Sequence, residues 1–170
     1  SLMLLDGTEF QNPEYRANHG IVPKYRIVPL DFGEYGGVRV FDYEKVGIQT
    51  NDMSFDDYVY LRGYALVVET LHNGRPFDEF FRYAINCGVA RTELLRRVYD
   101  RIEQAPQAIG DLIGGYFDET RAELWDSAEE LVAHYQKDEN YHRLLQGEVG
   151  GNLIYKYSAM GLAIATESWI

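Results

Sequence analysis

The hydrophobic and polar positions follow one pattern before Asn51 and another after it. The residues before it form short extended runs, and in the last run Val46, Ile48 and Thr50 alternate with small or polar residues. Such alternation is typical of a strand with one buried face. Prolines and glycines interrupt the runs. The pattern predicts a short extended or β segment over residues 1–50.

From Ser54 onward, apolar residues recur every three or four positions, as on one face of an α-helix. The Ser54 hydroxyl can cap the first helix by accepting a free backbone N–H, and Ser127 with Glu130 forms a capping box for a later helix. We predict a mainly α fold, in which the short N-terminal extended/β segment is followed by an all-α bundle of about six helices. The two predicted domains are residues 1–50 and 51–170.

The charge balance narrows the range of partners. Lys and Arg number 16 against 27 Asp and Glu, which gives a formal net charge of −11. A field of this sign repels phosphate groups, so we expect no nucleic acid and no membrane as partner. No run of residues reaches the ~18 apolar positions that span a bilayer, and no signal-peptide pattern is recognised. These features predict a cytoplasmic protein.

The chain has one cysteine, Cys87, which excludes an intrachain disulfide and a thiolate metal cage. Cys87 follows the apolar face of a predicted helix and precedes Gly88. Because the C-terminal end of a helix dipole disfavours a thiolate, we do not expect a nucleophilic role. We predict a buried structural thiol.

Two Glu-x-x-His pairs, Glu69/His72 and Glu139/His142, fall on predicted helices. Such pairs supply ligands to di-iron bundles, because residues i and i+3 project from the same side of a helix. A di-iron site also needs an inward glutamate on each of two further helices, and the glutamates before Glu69 all lie in the non-helical lead-in. The pairs support an alternative hypothesis, a small helical bundle metalloprotein with a di-iron-like site. A free-standing interaction module is a third hypothesis.

Four stretches in the first part of the chain form a series. They are LMLLDGTEF at Leu2–Phe10, PKYRIVP at Pro23–Pro29, GEY at Gly33–Tyr35 and TNDMSFDDY at Thr50–Tyr58. In this order they resemble the C-terminal region of radical S-adenosylmethionine (radical SAM) proteins of the cobalamin-binding-domain type. Asp6 stands where the last barrel strand of that family typically ends in the proline of Pro-Gly-Thr. The resemblance covers about residues 3–85.

The resemblance implies that Leu2–Leu5 is the end of a truncated barrel, followed by a short β ribbon, and that residues 51–170 form a helical accessory domain. The family's Cys-x-x-x-Cys-x-x-Cys loop is absent, so no catalytic, cofactor-binding or metal-binding residue carries over to this chain. The 4Fe–4S cluster, S-adenosylmethionine and cobalamin are cofactors implied for the parent protein.

The implied partner is the barrel domain in the remainder of the parent chain, which acts on an unknown substrate. The fragment itself is expected to be catalytically inert. Its expected role is to pack on the barrel or to shape the access of a substrate or partner. The apolar segment Leu2–Leu5, left exposed, also predicts a homodimer.

Overall fold

The chain folds into helices and one antiparallel sheet. The computed structural model describes residues 2–168, with side chains described as far as residue 164. The strands are β1 (Leu2–Met3), β2 (Val22–Tyr35) and β3 (Val38–Gln49). The helices are α1 (Pro13–His19), α2 (Phe55–Val68), α3 (Asp78–Asn86), α4 (Arg91–Tyr99), α5 (Gln107–Ala122), α6 (Ala128–Tyr135), α7 (Asp138–Leu145) and α8 (Leu153–Ser168). A π-helical turn, Glu69–Asn73, follows α2, and 3₁₀ turns lie at Glu9–Gln11 and Ile102–Gln104.

The predicted fold, mainly α with a short β segment and one bundle of about six helices, is wrong. The described residues hold eight α-helices and a three-stranded antiparallel sheet, with 58% of residues helical and 19% in strands. Strands β2 and β3 are 14 and 12 residues long and form a hairpin, to which β1 adds in the order β1-β3-β2.

Two prolines explain why the length of β2 was missed. Pro23 and Pro29 both lie inside β2, although proline normally indicates a break in a strand. Strand β2 is an edge of the sheet, where a missing N–H need not cost a ladder hydrogen bond. Pro29 also lies where the register shifts between Ile27 and Phe32, and the next residue, Leu30, has a φ of 65°. The strand therefore accommodates its prolines at the edge and in a bulge.

Contacts within the chain divide it into two compact units. Unit 1 comprises Ser1–Tyr58 and Thr120–Asn152, and unit 2 comprises Val59–Glu119 and Leu153–Ile170. The predicted division into residues 1–50 and 51–170 rests on the change of sequence pattern at Asn51 and stays a prediction.

In unit 1, helices α6 and α7 pack on the β2–β3 hairpin. The buried cluster consists of Ile27, Phe41, Leu131, Tyr135, Tyr141 and Leu144. Arg39 of β3 donates to the Gln136 carbonyl at 2.8 Å and to Asp138 at 2.7 Å, which ties the hairpin to the junction of the two helices. The apolar stripes of α6 and α7 were visible in the sequence, but they face the sheet as well as each other. This is the physical reason that the bundle prediction failed.

In unit 2, the core is built by helices alone. One buried cluster consists of Leu66, Ile109, Leu112, Ile113, Tyr116, Leu153 and Tyr157. A second consists of Val67, Phe81, Leu95 and Tyr99. No helix in the described part of the chain has the length and apolar character needed to cross a membrane.

The two predicted helix caps are confirmed at their serine hydroxyls. Ser54 accepts the Asp57 N–H at 3.1 Å and donates to the Asp57 carboxylate at 2.7 Å, and Ser127 accepts the Glu130 N–H at 3.1 Å. In the sequence, the pair Gly114–Gly115 predicts an interruption of the helix over residues 107–126; this prediction is wrong, because α5 runs through both glycines. Gly115 instead gives close contact, since a Cβ there would lie 3.1 Å from the Tyr157 hydroxyl.

Candidate functional site

In unit 1, the outer edge of β1 is open to a further strand. Leu2 pairs with Gly47 and Met3 with Val46, and the Leu4 N–H donates to the Lys45 carbonyl at 2.8 Å. Successive residues of an antiparallel strand turn their backbone groups to opposite sides. Because Leu4 bonds toward β3, the alternation turns the N–H and C=O of Met3 away from β3. Within residues 2–168, no further strand lies on that side of β1.

The side chains of this edge are apolar and partly exposed. Leu4 is buried, with 2% of its surface exposed, whereas Met3 and Leu5 are 45% and 54% exposed. Edge strands of stable proteins are commonly protected by charges, prolines or bulges. The run Leu2–Leu5 contains no charge and no proline. This edge is therefore suited to pairing with another strand.

A cavity of about 360 Å³ lies beside the edge. It is lined by Met3, Leu4, Leu5, Asp6, Gln11, Tyr25, Tyr43, Glu44 and Lys45. The Gln11 side-chain amide donates to the Leu4 carbonyl, and the Arg16 guanidinium donates to the Phe10 and Gln11 carbonyls at 3.0 and 2.6 Å. These bonds hold the loop after β1 in place. The cavity is a concave surface in which a side chain of a docking partner can lie.

The loop after β1 is positioned by a helix that sequence reasoning missed. Asn12 caps α1, since its side chain accepts the Glu14 N–H at 2.8 Å, and Pro13 occupies the first helical position. Asparagine followed by proline is a recognised start signal for a helix. The signal is present in the sequence, but a proline among short extended runs also indicates an interruption of an extended segment, which is the prediction made for residues 1–50.

A charged cluster lies in unit 1. Arg26 contacts Glu44 through Nε at 2.5 Å and Glu123 through Nη1 at 3.1 Å, and all three side chains are at most 20% exposed. The pKa of Arg26 lies above its usual value: burial lowers it, but the negative charges of Glu123 and Glu44 raise it by more. The cluster joins β2 and β3 to the segment after α5, so its role is to support the sheet.

The predicted metal pair Glu69/His72 lies in unit 2, in the π-helical turn. The Glu69 carboxylate accepts from the Asn73 side chain at 2.6 Å. His72 Nδ1 lies 3.2 Å from the Arg91 guanidinium, and its ring packs edge-on against Phe81. The Nδ1 atom of His72 thus lies beside a cation, which does not favour a metal ion at that nitrogen.

The second pair, Glu139/His142, lies on α7 in unit 1, and both residues are exposed. His142 Nδ1 lies 2.8 Å from the carbonyl of Asp138, one turn earlier. Among the described residues, no group of three or more His, Cys, Asp or Glu side chains is placed to hold a metal ion. The metal site stays a prediction of the sequence.

Cys87 is exposed, so its predicted burial is wrong. It follows the last residue of α3, and its backbone N–H bonds to the Tyr83 and Ala84 carbonyls. The apolar face of α3 ends at that turn, and the helix terminus leaves the side chain at the surface.

The sequence was also compared with known proteins. No model of a protein family matches the chain, and no curated protein matches it.

Proposed function

We propose that this chain is the C-terminal accessory region of a radical SAM protein of the cobalamin-binding-domain type. In this proposal, it packs on the barrel domain of the parent through the outer edge of β1 and shapes access to the barrel. The observation that carries the proposal is the unprotected apolar edge at Met3 and Leu5. The proposed family rests on the resemblance of the ordered series of stretches from Leu2 to Tyr58.

Strand addition explains how such an edge holds a partner. An open edge offers backbone N–H and C=O groups to an incoming strand, while neighbouring side chains select the partner. Here Met3 presents the backbone groups, and Met3 and Leu5 add exposed apolar surface next to the cavity. A barrel strand placed there would cover the edge and bury both side chains.

The chemistry in this proposal belongs to the parent protein, in the cytoplasm. A 4Fe–4S cluster of this kind needs three cysteines of one loop, and this chain has one cysteine. After incubation with iron, sulfide and a reductant, we expect the purified chain to hold no iron–sulfur cluster and to leave S-adenosylmethionine uncleaved. Cluster assembly with release of 5′-deoxyadenosine would overturn the assignment of an inert accessory region.

Docking is tested with the preceding barrel region expressed as a separate polypeptide. We expect the two pieces to associate, and we expect Met3→Asp with Leu5→Asp to weaken the association at least about tenfold, since each change places a charge in an apolar contact. Titration calorimetry measures the dissociation constants.

Leu30→Asp is the matched control. Leu30 is 86% exposed and belongs to β2, the other edge strand of the sheet. We expect it to bind like the unchanged chain. Equal binding by the Met3/Leu5 variant and the unchanged chain would contradict docking through β1.

A further inference from the structure

Unit 2 contains a second cavity, separate from the edge of β1. Its volume is about 570 Å³, and all of its lining residues belong to unit 2. Small-molecule sites commonly have volumes of about 300–1,000 Å³. The cavity is therefore large enough for a small organic ligand.

Most of the wall is apolar. Leu66 and Leu71 contribute from α2 and the π-helical turn, and Ile109 and Leu112 contribute from α5. Thr70 also lines the wall, but its hydroxyl donates to the Leu66 carbonyl at 2.8 Å. The polar atom of Thr70 is thus satisfied within its own helical segment.

A glycine keeps the wall open on α8. Gly161 lines the cavity, and a Cβ built there would lie 3.5 Å from Thr70 Cγ2 and 3.9 Å from a Leu112 methyl. An alanine would fit by these distances, whereas a longer side chain would occupy the cavity. The position therefore offers a variant that fills the space.

The polar part of the wall comes from one segment, the end of α4 and the 3₁₀ turn after it. Arg97, Arg101 and Gln104 line the cavity there. Arg97 Nε donates to Glu93 at 2.8 Å, so its charge is partly balanced. Among the described side chains of residues 2–164, no carboxylate forms an ion pair with Arg101. Arg101 thus brings a guanidinium to the rim of an apolar cavity in a chain of net charge −11.

We propose that this cavity binds a small amphipathic anion of the fatty-acid class. The aliphatic chain packs against the apolar residues of α2 and α5, and the carboxylate pairs with Arg101, with Gln104 as a further donor. An apolar cavity with a few convergent polar groups is the usual form of a small-molecule site. The guanidinium fork matches a carboxylate in shape and charge. The inference does not depend on the proposed function.

Dodecanoate is the first probe, and dodecanol and dodecyltrimethylammonium are its matched neutral and cationic counterparts. We expect dodecanoate to bind the full chain as a single site in titration calorimetry. We expect dodecanol to bind about three- to tenfold more weakly and the cation more weakly still, because only the anion pairs with Arg101. Equal binding of all three probes would overturn the proposal, since it would show only general apolar adsorption.

Variants at two positions, Arg101 and Gly161, locate the site. Arg101→Ala should lower the affinity for dodecanoate about three- to tenfold and leave the affinity for dodecanol unchanged. Arg101→Lys should keep most of the affinity for dodecanoate. Gly161→Leu should remove binding of both. Arg82→Ala is the control, since Arg82 is an exposed arginine of unit 2 that does not line the cavity.

Circular dichroism of each variant separates a lost site from a lost fold. Arg101 is exposed, so its variants should unfold at the temperature of the unchanged chain. If Arg101→Ala and Gly161→Leu, both folded, bind dodecanoate as tightly as the unchanged chain, the assignment of this cavity is wrong.

Discussion

The missing side chain of Gly63 leaves room for two aromatic rings in unit 2. A Cβ at Gly63 would overlap the Tyr99 hydroxyl and lie 2.7 Å from Cε1 of Phe117. The Tyr99 hydroxyl cannot turn away without cost, because it donates to the Tyr60 carbonyl at 2.8 Å. Position 63 of α2 therefore requires glycine for packing, although glycine lowers helix propensity.

Gly63→Ala should lower the free energy of unfolding by about 1–3 kcal/mol, the usual cost of overpacking a core. Alanine gains about 1 kcal/mol of helix propensity, which only partly offsets that cost. Urea titration measures the change. Gly114→Ala is the control: nothing lies within 4 Å of its Cβ, so the same exchange should stabilise the chain. A stabilised Gly63→Ala would contradict the tight packing of Tyr99 and Phe117 against this position.

Tyr99 gives a prediction about alkaline pH. Burial, followed by the neighbouring Tyr60 and Tyr116, raises the pKa of Tyr99 from 10.0 to about 12. A pKa that is raised in the folded state contributes stability below the unfolded pKa, and this stability is lost as the pH rises through the folded value. The free energy of unfolding should therefore fall between about pH 10 and 12. Tyr99→Phe should make that fall shallower, and Tyr83→Phe, at an exposed tyrosine, should leave it unchanged.

Single residues also show what the sequence can and cannot reveal. The caps Ser54 and Ser127 were predicted because a cap depends on neighbours within three residues. The exposure of Cys87 could not be predicted, because it depends on where a helix ends. The tight contact at Gly63 could not be predicted either, because it depends on residues distant in the sequence.

Among the elements, the β2–β3 hairpin differs most from its prediction, because its strands depend on their place in the sheet. The twofold alternation of β3 was recognised, but the prolines of β2 hid its partner. Edge position and a bulge make these prolines compatible with a strand, and neither feature can be read from β2 alone. The sheet in turn decides what α6 and α7 pack against, so one missed strand changed the predicted fold class.

Leu30 is the strained point of that hairpin. Its φ of 65° lies in the left-handed region, which disfavours a branched apolar side chain, and it is 86% exposed. Leu30→Asn should raise the free energy of unfolding by about 1 kcal/mol, because asparagine tolerates this conformation. Leu30→Val should lower it. Urea titration of both variants measures these free energies of unfolding. A Leu30→Val variant more stable than Leu30→Asn would contradict the left-handed conformation at this position.

At the scale of the whole molecule, we expect the open edge of β1 to govern how the chain associates in the absence of a partner. Two copies can pair their β1 edges about a twofold axis, which is the homodimer predicted from the sequence. We expect the isolated chain to dimerise in sedimentation equilibrium at high concentration. Leu5→Lys should shift it to monomer, and Leu145→Lys, at an exposed leucine of α7, should not. A dimer that persists in Leu5→Lys would place the contact elsewhere.

We propose that the chain is an accessory region and that the chemistry belongs to a preceding barrel. The most direct test is to sequence the gene upstream of Met3. We expect the reading frame to continue and to encode a Cys-x-x-x-Cys-x-x-Cys loop, which would place the cluster and S-adenosylmethionine in the preceding part. A start codon and ribosome-binding site immediately before Met3 would contradict the claim, and metal analysis of variants at His72 and His142 would then be the next measurement.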